Sequence, residues 1–79
     1  MSDFEQLQNI IASTLKIAAA SVTRDSAMDD IEEWDSLGHV HIMVALEEAF
    51  DLYLDVDDFG QLTSVPAIMA YIAAEKDGA

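Results

Sequence analysis

The stretch Trp34-Asp35-Ser36-Leu37-Gly38-His39-Val40-His41-Ile42-Met43-Val44-Ala45-Leu46-Glu47-Glu48-Ala49-Phe50 reads as one helix with its start signal in place. Asp35 has the side chain of an N-cap, whose oxygen accepts from a free backbone N–H of the first turn. The helix then spans about residues 36–50, with Leu37, Val40, Met43, Val44, Leu46 and Phe50 as its predicted apolar face. Ser36 falls at the first helical position, on the surface, behind a long connector. Backbone N–H groups at a helix start point outward, and the helix dipole there favours anions. A serine in that place is suited to carry a phosphate ester. Glu47, Glu48 and Asp51 gather at the other end, where carboxylates oppose the dipole, so helix stability does not account for them.

Upstream, Ser2-Asp3-Phe4-Glu5 has the form of a capping box, and Phe4, Leu7, Ile10, Ile11 and Leu15 follow at helical spacing. A first helix over about residues 3–16 is the expectation. The connector from Ala18 to Trp34 is longer than most loops in compact domains. Val22, Met28, Ile31 and Trp34 are predicted to pin it to the rest. Downstream, Leu52, Leu54 and Val56 alternate, which reads as an extended connector because a single strand has nothing to pair with. A short helix over about residues 57–62 follows. Ser64 is the predicted cap of the last helix, with Pro66 in its first turn and Val65, Ile68, Met69 and Ile72 as its buried stripe. The predicted fold class is all-α, a small bundle of three main helices plus one short helix, built by residues 1–79 as a single domain.

Fifty-two per cent of the 79 residues are apolar, enough to pack a core and too many for a disordered chain. The longest apolar run is Ala67 to Ala74, far short of the roughly 20 residues a membrane span takes. Sixteen acids against three bases give a formal charge of −13, which repels phosphate backbones and anionic headgroups. Neither nucleic acid nor a membrane is an expected partner. The absence of cysteine excludes disulfides, thiolate zinc sites and a cysteine nucleophile. The opening Met-Ser-Asp-Phe-Glu is acidic, unlike a signal or transit peptide, so a cytoplasmic location is the expectation. A chain this short uses its apolar side chains to hold itself together, which favours a binding or carrier module over an enzyme.

At Asp35-Ser36-Leu37 and Ala45-Leu46-Glu47-Glu48-Ala49-Phe50 the sequence resembles the acyl carrier protein family. The similarity covers essentially the whole chain, through the long loop to a final helix that opens Thr63-Ser64-Val65 and passes Tyr71-Ile72. The resemblance implies a 4′-phosphopantetheine group joined to Ser36 by a phosphodiester, donated by coenzyme A and installed by a phosphopantetheinyl transferase. It implies an arm whose thiol carries an acyl or aminoacyl group as a thioester. The carrier, a monomer with no catalytic residue of its own, would present that cargo to loading and processing enzymes with basic docking surfaces. The helical core would be available to shelter part of an apolar cargo.

Other readings of the same residues are weaker. Asp55, Asp57 and Gly60 match positions one, three and six of an EF-hand loop, but Phe59 and Pro66 fall where positions five and twelve need oxygen ligands. No dedicated metal site is expected. His39 and His41 lie about 200° apart around a helix and cannot share a metal; both are expected at the surface, in the partner footprint. The Ser36 and His39 spacing supplies neither the pocket nor the oxyanion hole of a hydrolase. Met28, Met43 and Met69 read as core filler. Residues 25–58 hold twelve of the sixteen acids and no Lys or Arg, which reads as an electrostatic docking face. The alternative function is an unmodified acidic interaction module, or a weak divalent-ion binder, of the same fold. Within the resemblance, Gly38-His39 after the triplet, with His41 where carriers of primary fatty acid synthesis keep an acid, is similar to carriers of specialised pathways. Gly38 is expected to leave room for a partner to approach the backbone.

Overall fold

A computed structural model describes the backbone of residues 2–78 and the side chains of residues 2–76. Among these residues the chain is a helical bundle with no strand. Helix α1 spans Asp3–Leu15, α2 Ser36–Phe50, α3 Val56–Gln61 and α4 Val65–Gly78. Single 3-10 turns at Ala19–Ser21 and Met28–Asp30 punctuate the connector between α1 and α2.

Local chemistry sets these boundaries. The Ser2 hydroxyl accepts from the Glu5 N–H at 3.1 Å and starts α1. Lys16 then turns left-handed (φ 59°), and the Ile17 N–H reaches back to the Ala12 carbonyl at 3.0 Å. Helix α2 ends the same way, with Asp51 at φ 55° and the Leu52 N–H on the Glu47 carbonyl at 3.0 Å. Asp55 and Asp58 cap α3 reciprocally, each carboxylate accepting from the other's backbone N–H at 3.0 and 3.2 Å. That cap brings Val56 into the helix one residue before the predicted start, so the alternation of Leu52, Leu54 and Val56 stops at Leu54. Ser64 caps α4 as predicted, accepting from the Ala67 N–H at 3.2 Å.

The core is where α1, α2 and α4 meet. Leu7, Ile11 and Leu15 pack with Ile42, Met43 and Leu46 and with Val65, Ile68 and Ile72. Val22, Ile31 and Trp34 of the connector join them, as does Leu54; Met28 and Met69 are half-buried against the cluster. Polar contacts fix the connector as well. The Gln8 amide donates to the carbonyls of Ala19 and Val22 at 2.9 and 2.8 Å. The Met28 N–H donates to the Thr63 carbonyl and the Val65 N–H to the Ser26 carbonyl, both at 2.8 Å, tying the connector to the start of α4. The connector is thus long but held along its length.

The predicted face of α2 needs correction. Met43 and Leu46 are buried and Phe50 is half-buried, but Leu37, Val40 and Val44 are exposed. His39 and Ile42 take their places in the core. Helix α2 is apolar nearly all round, so spacing alone does not choose between the stripe 39-42-43-46 and the stripe 37-40-44. The partners choose it, because Ile42, Met43 and Leu46 join the core with α1 and α4 while His39 reaches Phe59 on α3. Among the described residues no helix is long and apolar enough to cross a membrane.

Candidate functional site

Ser36 is the first residue of α2 and is exposed. Asp35 has extended backbone (φ −96°, ψ −172°), and its side chain accepts from the Gly38 N–H at 2.8 Å. The Asp35 carbonyl accepts from the His39 N–H at 2.8 Å. The amides of Ser36 and Leu37 precede the first intrahelical bond and face outward. Ser2, Ser26 and Ser64 engage their hydroxyls in hydrogen bonds, whereas those of Ser13, Ser21 and Ser36 make none among the described residues, and of these three only Ser36 opens an α-helix.

Two residues before Ser36 the chain is anchored. Trp34 is 1% exposed, and its indole N–H donates to His39 Nδ1 at 3.0 Å. The other ring nitrogen of His39 lies 2.7 Å from the Phe59 carbonyl oxygen on α3. The expectation that both histidines lie at the surface is therefore wrong for His39, which is 6% exposed, and holds for His41. Burial of the imidazole is tolerated because both nitrogens are bonded.

Gly38 also faces inward. A Cβ there would lie 2.9 Å from Leu15 Cδ2, 3.0 Å from the Glu33 carbonyl oxygen and 3.2 Å from Asp35 Oδ1. The room expected for a partner is already occupied by this chain. Gly38→Ala gains about 1 kcal/mol of helix propensity but overpacks against a backbone oxygen that cannot turn aside, at about 1–3 kcal/mol. A net loss of about 1 kcal/mol in urea unfolding is expected; a variant more stable than wild type would contradict the packing account.

The acids divide in the same manner. Glu47, expected in the docking cluster, is half-buried and its carboxylate accepts from the Leu54 N–H at 3.1 Å, holding the α2–α3 link. Asp55 and Asp58 serve as caps. Glu32, Glu33, Asp35, Glu48, Asp51 and Asp57 are exposed. The Tyr71 phenol is pushed above its ordinary value of 10.0 by burial first, then by Asp58, Glu75 and Asp55. Between these acids α2 presents Leu37 (66% exposed), Val40 and Val44, the link into α3 presents Tyr53, and α3 itself presents Val56. A groove of about 370 Å³ between α1 and α2 is open to solvent and lined by Gln6, Asn9, Ile10, Ser13, Thr14 and Ala45.

Comparison with known proteins matches this arrangement. The family model for the phosphopantetheine attachment site matches residues 5–72. The chain is 34% identical over 74 residues to a Clostridium acetobutylicum protein named acyl carrier protein, covering 94% of this chain and 96% of that one. It is 33% identical over 72 residues to the acyl carrier proteins of two strains of Streptococcus pneumoniae, covering 91% of this chain and 93% of theirs. The chain belongs to the acyl carrier protein family, the helical carriers defined by a phosphopantetheine attachment site. It is a carrier and not an enzyme, as the family is.

Proposed function

We propose that Ser36 is the residue that carries 4′-phosphopantetheine, and that residues 1–79 act as one carrier domain. The observation that carries this reading is the free, exposed hydroxyl at the first position of α2, two residues beyond the buried Trp34. A rigid mount presents one oxygen in a fixed place to a transferase, and the outward amides of the same turn favour the phosphate that results. The test is incubation of the unmodified chain with coenzyme A, Mg²⁺ and a phosphopantetheinyl transferase, read by intact mass.

Partners in this reading are the transferase and enzymes that load and process acyl or aminoacyl thioesters, in the cytoplasm. The supporting surface is Leu37, Val40 and Val44 bordered by Glu48 and Asp51, an apolar stripe beside exposed acids and suited to a basic, partly apolar counterpart. Screening should weaken such docking, since the Debye length falls from about 10 Å at 0.1 M salt to about 3 Å at 1 M. Glu48→Lys with Asp51→Asn should slow transferase modification about tenfold at low salt and leave the helical circular dichroism intact. Equal rates for variant and wild type would remove the electrostatic argument. Glu47 is left alone in that variant because it holds the Leu54 amide.

The cargo pathway we infer is a specialised one rather than primary fatty acid synthesis. What supports it is narrower than the sequence suggested, since Gly38 and His39 answer to internal packing. There remains a first turn of α2 with no acid and an exposed His41 one turn further on. His41→Glu should raise acceptance by a fatty acid synthase malonyl transferase; no gain would leave that enzyme's discrimination elsewhere and count against the specialised reading.

A further inference from the structure

Helix α3 is six residues long and none of them is buried, so it cannot hold itself in place. Its ties to the rest include the Phe59 carbonyl on the His39 ring. The ring has a defined proton. An indole N–H can only donate, so Nδ1, at 3.0 Å from it, must present a lone pair. The proton of the neutral imidazole is then on Nε2, which donates to the Phe59 carbonyl. One buried side chain thus joins the turn before Ser36 to the helix beyond the α2–α3 link.

We propose that neutral His39 is a pH-operated latch that holds α3 against the start of α2 and releases it in acid. A proton taken from solvent binds Nδ1 and uses the lone pair that accepted from Trp34. Two N–H groups then face each other in a buried place, and no acceptor replaces the lost one. The ring turns away to reach water, and the bond to Phe59 goes with it. The charged or titratable groups on the surrounding elements are Glu32, Glu33 and Asp35 before α2, His41, Glu47 and Glu48 on α2, Asp51, Tyr53 and Asp55 between α2 and α3, Asp57 and Asp58 on α3, and Lys16 after α1. None is hydrogen-bonded to the ring, so none can take over as acceptor without movement. Release of α3 moves Val56, its first residue, relative to the exposed apolar residues of α2, and so changes the shape of the apolar surface rather than its exposure. The inference concerns the unmodified fold and does not depend on what Ser36 carries.

The experiment is NMR on the full unmodified chain from about pH 8 to about pH 5. It follows the His39 ring nitrogens, the Trp34 indole N–H and amide exchange in α3 corrected for its intrinsic pH dependence. His39→Gln is the companion variant, because a carboxamide can accept from Trp34 and donate to Phe59 without titrating. In wild type the ring should start as the Nε2–H tautomer. Its protonation should share a midpoint with a shift of the Trp34 indole signal, and α3 exchange should rise about fivefold to tenfold, as for one lost buried hydrogen bond. In His39→Gln the α3 exchange should stay flat. An Nδ1–H tautomer, a ring still neutral at about pH 5, or protonation that leaves α3 exchange unchanged would each overturn the latch. So would an equal acid response in His39→Gln; if that variant fails to fold, the wild-type readings decide alone.

Discussion

Trp34→Ala should remove a large part of the domain's stability. Trp34 is 1% exposed and belongs to the core formed with Ile31, Leu7 and their neighbours. Truncating such a side chain costs about 3–5 kcal/mol in lost transfer energy and cavity formation. His39 Nδ1 also loses its donor in a buried place, which adds about 1–3 kcal/mol unless water enters. Set against a total stability of about 4–12 kcal/mol for a chain of this length, that is a large part of the whole. Trp34→Phe keeps most of the ring and loses the N–H, and should cost only about 1–2 kcal/mol. Urea unfolding followed by circular dichroism checks both. A Trp34→Ala protein as stable as Trp34→Phe would mean that the connector is not anchored through this ring.

The elements were legible in the sequence where their signals are local. Ser2, Asp35 and Ser64 each cap the helix that their residue type and position predict. The anchors Val22, Ile31 and Trp34 were legible, with the half-buried Met28, as the large apolar residues of a connector otherwise made of alanine and polar residues. Two kinds of information were not. The first is which side of α2 faces in, since Leu37, Val40 and Val44 are as apolar as the residues that are buried, and only the arrangement of α1, α3 and α4 decides. The second is polar contact over distance: Gln8 to Ala19 and Val22, and Glu47 to Leu54. No spacing rule marks a glutamine that will hold a loop eleven residues away.

The site shows the same division. Ser36 and Asp35 stand at a helix start, where position within the chain nearly dictates exposure and backbone direction. Gly38 and His39 lie in the same turn, yet their surroundings come from Leu15, Glu33, Trp34 and Phe59. A signal for His39 was present, since it keeps the i, i+4 and i+7 spacing with Met43 and Leu46 that marks a core stripe. The polar ring concealed it, because a histidine among apolar residues is read as a surface group unless both its nitrogens are seen to be bonded.

The largest functional effect expected is the complete loss of phosphopantetheinylation in Ser36→Ala, with stability close to wild type. The substitution removes an exposed hydroxyl that makes no hydrogen bond among the described residues, and alanine is a good helix former at that position. The other serines do not combine an exposed, unbonded hydroxyl with the first position of a helix: Ser2 and Ser64 cap helices, Ser26 is buried, Ser13 lies within α1 and Ser21 ends a 3-10 turn of the connector. Fragment-ion mapping of the wild-type chain after transferase treatment tests this most directly. One added phosphopantetheinyl group, localised to Ser36, is the expected result, with none on Ser36→Ala. A group found on any other residue, or a Ser36→Ala protein that gains the same mass at the same rate, would contradict it.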